Sequence, residues 1–270
     1  MSELKKRILF ALIAAPVFIV FLWIGGLPFK ILILLLTIAT QSEIARMLKP
    51  AGFGPNTVVM YLSAVWVLWL PDIQYAHLYG FGLLLLLCLM EVTGNPKNDF
   101  RRLFSTVYCA VCIPAIYLTL VLLRSALFGD NLAGFAVTLA LMLMVWGNDV
   151  FAFFGGTTFG KRLLAPAISP KKTWEGFYSG FIGSAAGLAI VFFAMDAFPL
   201  NLMQSAPIIL VVGIFGPVGD LSASKLKRSF GVKDSSSLFP GHGGVYDRFD
   251  AVMLAAPAVY LYLSILNIFT

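Results

Sequence analysis

Ser224-Lys-Leu-Lys-Arg-Ser-Phe-Gly-Val-Lys-Asp-Ser-Ser-Ser-Leu-Phe-Pro-Gly-His-Gly-Gly-Val-Tyr-Asp-Arg-Phe-Asp250 is a polar stretch set between two long apolar runs. Five cations (Lys225, Lys227, Arg228, Lys233, Arg248), three acids (Asp234, Asp247, Asp250) and a Pro-Gly-His-Gly-Gly turn fill it. Only 32 of the 270 residues of the chain are charged, so this density is unusual within it. Clustered positive charge suits a polyanion, and carboxylates beside it suit the divalent metal that such an anion brings along. The stretch reads as a site for phosphate chemistry at a membrane surface.

Outward from it, the chain is 60% hydrophobic, with a mean hydropathy of +0.91. Both values lie outside the range of soluble domains. Apolar runs long enough to cross a bilayer, about 17–25 residues each, recur along the whole length. There are nine candidates, at 8–25, 27–47, 56–71, 75–92, 103–127, 133–155, 176–198, 205–222 and 250–269. Backbone polar groups in lipid must be paired within the segment, so these are expected to be helices. The third is short and contains Trp66 and Trp69, which suits tilting or an interfacial position. The expected fold is an all-α polytopic integral membrane protein of about nine transmembrane helices.

Charge placement tests that number. With the N-terminus cytoplasmic, the inward loops collect Lys5, Lys6, Arg7, Arg46, Lys49, Lys97, Arg101, Arg102, Lys161, Arg162, Lys171, Lys172 and the five cations of the opening stretch. That is 17 of 19 Lys and Arg; Lys30 and Arg124 fall outside. The bias fits the positive-inside rule, and one span more or fewer would scramble it. The N-terminus is expected inside and the C-terminus outside. The first run follows Lys5-Lys6-Arg7 like a signal peptide, but its length and the lack of a cleavage pattern favour a retained anchor. No transit peptide, soluble appendage or repeat is evident, so one transmembrane domain over 1–270 is expected. In it, helices in 1–132 serve scaffold, dimer and lipid access, and 133–270 forms the catalytic half. A net charge of +6 reflects topology and anionic lipid, not nucleic acid. Cys88, Cys109 and Cys112 lie in apolar runs; despite the Cys-x-x-Cys spacing they read as buried, inert thiols.

Two inward loops are polar and adjoin acids. The first begins at Trp146-Gly147-Asn148-Asp149, inside the sixth run. A carboxylate such as Asp149 within a span is costly unless it faces a polar cavity, a metal or a cation. Gly155-x4-Gly160-Lys161 has the spacing of a phosphate-binding P-loop. Arg162 stands where that motif needs Ser or Thr, and an apolar helix precedes it instead of a strand, so that fold is rejected. A glycine-rich turn with Lys161 and Arg162 still suits phosphate. Ser169-Pro170-Lys171-Lys172-Thr173-Trp174-Glu175-Gly176 reads as a helix start, with Ser169 as cap and Pro170 in the first turn.

The second loop is approached through Gly213-Ile-Phe-Gly216-Pro217-Val-Gly219-Asp220. Three glycines and a proline in seven residues suggest a kinked or broken eighth span, tolerated where it lines a cavity. If helix resumes, Asp220, Ser224, Lys227 and Arg228 share one face. Asp247 and Asp250 share a face of the ninth span's first turn, where helix capping would also favour acids. His242 sits in permissive backbone and suits phosphate contact, proton transfer or a structural hydrogen bond alike.

These residues resemble the CDP-diacylglycerol synthase, or phosphatidate cytidylyltransferase, family. The resemblance is carried by Ser224-x-Leu226-Lys227-Arg228, Lys233-Asp234, Pro240-Gly241-His242-Gly243-Gly244 and Asp247-Arg248-Phe249-Asp250, in order and at family spacing. Asp149, Gly160-Lys161 and Ser169-Pro170-x-Lys172-Thr173-x-Glu175-Gly176 also look like family positions; Phe153 departs from an expected tyrosine. The motif-bearing part covers about 146–250; upstream, only length and hydropathy match.

The resemblance implies that CTP and phosphatidic acid give CDP-diacylglycerol and pyrophosphate with Mg2+. A second cation, monovalent or divalent, is left open. It also implies a homodimer in the cell (inner) membrane whose site opens to the cytoplasm and the lipid. Asp220 and Asp247 are the first choice as metal ligands, followed by Asp250 and Asp149. Lys227, Arg228, Lys233 and Arg248 are expected to hold the triphosphate and lipid phosphate, and Ser224 to orient metal or phosphate. Lys172 and Glu175 build the facing wall; Lys161 and His242 are further substrate contacts. Two rivals are a transporter and a CTP-dependent kinase of isoprenoid alcohols. Glu43, Glu91, Asp149, Asp220, Asp247 and Asp250 all lie toward the cytoplasmic side in this topology, which argues against the first, and the full Ser224–Asp250 match argues against the second.

Overall fold

The computed structural model describes residues 3–74, 78, 80, 82, 85, 89, 100–125, 127, 129–239 and 243–269, with side chains from residue 12 to 267. Eight main helices are described: α1 Glu3–Ile24, α2 Gly26–Leu48, α3 Thr57–Trp69, α4 Phe100–Ser125, α5 Asn131–Phe159, α6 Trp174–Ala194, α7 Leu202–Ser229 and α8 Val252–Phe269. Each coincides with one of the nine apolar runs; the run at 75–92 lies largely outside the described residues. Five of them, α2 and α4 to α7, are long and apolar enough to cross a membrane, and α1, α3 and α8 contain shorter apolar helices. The chain is a helical membrane protein. One contiguous apolar core runs through it, from Phe18 and Leu22 of α1 to Val259 and Leu263 of α8.

Polar groups buried in this core are placed where helices would otherwise leave backbone groups unpaired. In α4, Pro114 has no N–H to continue the ladder, and the turn Tyr108–Cys112 opens into a π-turn in which Ile113 N donates to Tyr108 O. The Cys109 carbonyl has then lost its helical donor. Gln41 Nε2 of α2 donates to it at 2.8 Å and to Met60 O of α3 at 3.0 Å. At the other end of the bundle the chain passes from α1 to α2 through Gly25 and Gly26, both at positive φ. The Arg124 guanidinium covers the exposed end of α1, donating to Leu22 O and Trp23 O, and to Asn131 at the start of α5. A Cβ on Gly25 would overlap it.

α5 and α6 form the tightest helix pair. Gly147 faces Gly183, Gly155 faces Ser179 and Gly187 faces Leu143, each so close that a Cβ would strike the opposite helix. Small residues at such spacing are how helices approach in lipid. Gly155 and Gly156 are thus packing residues inside α5, and no glycine loop forms there.

The fold is almost wholly helical, as expected, with one short antiparallel hairpin, Leu163–Ala165 (β1) and Ser169–Thr173 (β2), between α5 and α6. Three expectations are corrected. Ser169 and Pro170 are in a strand, and the helix starts four residues later, capped by Thr173, whose Oγ1 accepts from Gly176 N at 3.1 Å. The eighth run is not broken: α7 is helical from Leu202 to Ser229 with Pro207 and Pro217 inside it. Its glycines answer to neighbours. Gly213 accommodates the Phe181 ring and Gly219 the backbone at Asp250 and Ala251. Cys109 is buried as expected, whereas Cys112 is exposed; both are free thiols, and Cys88 lies outside the described residues.

Candidate active site

The continuous course of α7 places Asp220 and Ser224 one turn apart, with Ser224 Oγ donating to Asp220 Oδ1 at 3.3 Å. Opposite stands the hairpin. Lys172 of β2 reaches Asp220 Oδ2 at 2.6 Å, both side chains about a quarter to a third exposed (27% and 30%). Around this pair α5, the hairpin, α6 and α7 enclose a cavity of about 320 Å³. Asp149, Asp220, Lys171, Lys172 and Thr157 supply its polar lining, and Phe153, Phe177 and Pro217 an apolar part. That size and mixture are typical of small-molecule sites.

The second centre is Asp247, in the helical turn Tyr246–Phe249. One of its oxygens, Oδ1, is ion-paired with Lys227 of α7, both side chains nearly buried (5% and 9%). The other, Oδ2, accepts from Ser235 N, Ser235 Oγ and Gly244 N at 2.8–2.9 Å. Burial pushes the Asp247 carboxyl up, but the Gly244, Lys227 and Ser235 donors outweigh it and hold the group below its usual range. Asp250 follows one turn on, near enough to Asp220 and Asp149 for the three carboxyl groups to interact. Arg248 and Lys172 are the cations that offset Asp149.

The sequence profile of the cytidylyltransferase family matches residues 5–266. The chain is 34% identical over 277 residues to the phosphatidate cytidylyltransferase of Bacillus subtilis, covering 99% of this chain and 100% of the relative. It is 30% identical over 267 residues to that of Staphylococcus haemolyticus (96% and 99%). With that of Brucella suis it shares 31% over 272 residues (98% and 95%). The chain belongs to the cytidylyltransferase family. It is accordingly a nucleotidyltransferase.

Not all of the expected residues gather there. Asp149, Asp220, Lys172 and Ser224 surround the cavity or touch its lining, and Asp250 and Arg248 act on it electrostatically. Lys227 is buried under Asp247. Arg228 donates to Val232 O, at the end of α7, and it and Lys233 are exposed. Glu175 faces away from the cavity: its Oε2 accepts from the Lys161 and Arg162 amides at 3.0 and 3.2 Å, taking the backbone donors that a phosphate would have used. His242 lies outside the described residues. Sequence reasoning gave no role to Thr157 or Asn148, which line the cavity. It also counted Glu43 only as an acid near the cytoplasmic side.

The residues present fit a hard divalent cation. Their donors are carboxylate and hydroxyl oxygens, the set that Mg2+ prefers. Among the described residues no three His, Cys, Asp or Glu side chains already form a metal cluster. Mg2+ is usually held by one or two carboxylates together with substrate phosphates and water, so a partial set is what a nucleotide-borne ion requires.

Proposed function

We propose that this cytidylyltransferase is a phosphatidate cytidylyltransferase, which joins CTP and phosphatidic acid into CDP-diacylglycerol and releases pyrophosphate. The observation that carries the reading is the cavity in which Lys171 and Lys172 face Asp149 and Asp220, at the foot of a helix whose next turns present Ser224, Lys227 and Arg228. The names of the full-length relatives supply the substrates.

An oxygen of the lipid phosphate attacks the α-phosphorus of CTP, and the bond from that phosphorus to the β-phosphate bridging oxygen breaks. A phosphate monoester is largely ionised at neutral pH, its second pKa being about 6. No strong general base is therefore needed, and the main obstacle is repulsion between two polyanions. Lys171, Lys172, Lys227, Arg228, Lys233 and Arg248 answer it with fixed positive charge. Asp220 and Asp247, then Asp250 and Asp149, would hold Mg2+, with Ser224 orienting it. Mg2+ would supply Lewis-acid stabilisation of the charge that develops on pyrophosphate. Lys172 and Lys227, paired with Asp220 and Asp247, place ammonium charge beside those carboxylates.

We further infer nine spans, an N-terminus inside and a C-terminus outside, a homodimer, and an inner-membrane protein whose site opens to the cytoplasm. Arg124 and Lys30, the two cations that break the charge bias, have internal partners that support this topology. Arg124 caps α1, and Lys30 pairs with Asp72 beside the Trp69 ring.

The test uses purified protein in detergent with labelled CTP, phosphatidic acid and Mg2+. Labelled lipid appearing with pyrophosphate, and lost on chelation, is the expected result. CDP released only with an isoprenoid alcohol would replace the reading by a kinase, and inactivity with every lipid acceptor would overturn it.

A further inference from the structure

We propose that Glu43, in the N-terminal half of the chain, is a positioning residue of the active site, clamping both arms of the polar loop that carries Lys233 and Asp247. The role rests on the cytidylyltransferase site described above and extends it to a helix outside the motif-bearing part.

Glu43 lies in α2 with none of its surface exposed. A carboxylate so buried in an apolar helix is unfavourable unless donors surround it. Four do, and all come from the loop. Oε1 accepts from Ser236 Oγ at 2.7 Å and Val245 N at 3.0 Å; Oε2 accepts from Ser235 Oγ at 2.8 Å and Tyr246 N at 2.9 Å. Each oxygen thus takes one donor from the arm before the Pro-Gly-His-Gly-Gly turn and one from the arm after it. Spreading or sliding the arms breaks both pairs together.

The clamp ends next to the reacting machinery. Ser235 is two residues beyond Lys233, Tyr246 immediately precedes Asp247, and Ser235 Oγ lies 2.8 Å from both Glu43 Oε2 and Asp247 Oδ2, its single proton shared between the two carboxyl groups. Contacts therefore run without a gap from Glu43 through Ser235 to Asp247 and Lys227. Gly244 fits the same account. A Cβ there would overlap both Glu43 oxygens and Ser235 Oγ, so the residue preceding Val245 has to be glycine for the carboxylate to reach its donors. A device serving stability alone would tie helix to helix, as Arg124 does at the opposite end. Glu43 instead ties a helix to the loop that holds phosphate-handling charge.

The experiment measures KM for CTP, kcat and Tm of full-length wild type, Glu43→Gln, Ser236→Ala and Thr40→Val in detergent, at saturating phosphatidic acid and Mg2+. Gln keeps the size of the side chain but turns one acceptor into a donor facing donors. Glu43→Gln is expected to raise KM for CTP about tenfold and lower kcat. Ser236→Ala removes one of four donors, folds more readily, and is expected to raise KM by roughly threefold. Thr40→Val, also buried on α2 but bonded to Tyr117, keeps the wild-type KM. A purely structural role lowers Tm and yield and leaves KM of the folded enzyme unchanged. Wild-type KM and kcat in both Glu43→Gln and Ser236→Ala overturn the role while leaving the function intact. A wild type that makes no labelled lipid overturns the function, and the role with it.

Discussion

Replacing Asp220 and Asp247 by Asn, one at a time, separates two kinds of carboxylate that a motif cannot tell apart. Asp220 is about a third exposed and pairs with an equally exposed lysine, Lys172. Pairs in such surroundings contribute at most about 1 kcal/mol, and the amide still accepts from Ser224. Asp247 is almost wholly enclosed with Lys227 and holds three further hydrogen bonds. Asn at 247 leaves the Lys227 charge buried against a neutral group and sets an amide N–H toward one set of donors. Breaking a buried pair in this way costs about 3–5 kcal/mol, on the order of 10 °C in Tm for a chain of this size. Turnover is expected to fall at least a hundredfold in both, since each removes a proposed metal ligand. The assay couples thermal unfolding in detergent to labelled-lipid formation at fixed folded protein. Asp220→Asn is expected to be folded and inactive, Asp247→Asn both unstable and inactive. Wild-type turnover in Asp220→Asn, or an Asp247→Asn protein as stable as wild type, would refute the reasoning.

Three more outcomes follow from the packing and charge. Gly183→Val drives a branched side chain into the Gly147 backbone, with an overpacking penalty of about 1–3 kcal/mol or more; a fall in Tm of several degrees checks it, and an unchanged Tm would contradict the closeness of α5 and α6. Gln41→Leu leaves the Cys109 carbonyl without its donor and the Met60 carbonyl with Ser63 alone, costing about 1–3 kcal/mol, while KM for CTP measured on folded protein stays at the wild-type value. The folded-state pKa of Asp247 is lowered, so its contribution to stability is fully present above the unfolded value of about 3.9. That contribution is lost as pH falls through the lowered folded value. The Tm difference between wild type and Asp247→Asn should therefore be constant at neutral pH and shrink below about pH 4; a difference that persists in acid would show that Asp247 acts through shape instead of charge.

Hydropathy located the helices because each apolar run must pair its own backbone. Motif spacing led to Asp149, Lys172, Asp220 and Ser224 because residues one helical turn apart, or on facing walls, need no long-range information. What the sequence concealed depends on neighbours. Ser169-Pro170 looks like a helix start, but Thr173 offers an equally good cap beside Gly176, and pairing of Leu163 with Thr173 draws the preceding residues into a strand. Gly213, Gly216, Pro217 and Gly219 look like a break; α7 instead stays helical, with Gly213 admitting the Phe181 ring and Gly219 the Asp250 backbone against it. Glu43 carries no local signal, since its four donors lie 192–203 residues away. One trace existed: a carboxylate at the end of an apolar run needs partners, and Gly244 had to be explained by something large beside it.

The carboxylates fall into two physical classes, and that division bears on how the site works. Glu43 and Asp247 each accept hydrogen bonds on both oxygens, which fixes their orientation. Asp149 and Asp220 line the cavity instead, with Lys172 beside Asp220 as partial compensation. Carboxylates gathered around a cavity suit a divalent cation, so under the proposed function a metal-borne triphosphate would meet oxygen ligands already in place. A loop held by Glu43, as proposed, would keep Asp247 and Lys227 in fixed relation to the cavity wall. Rigidity on one side and carboxylates on the other would then serve the same end: a cation and phosphates are received between charged groups that need not move far.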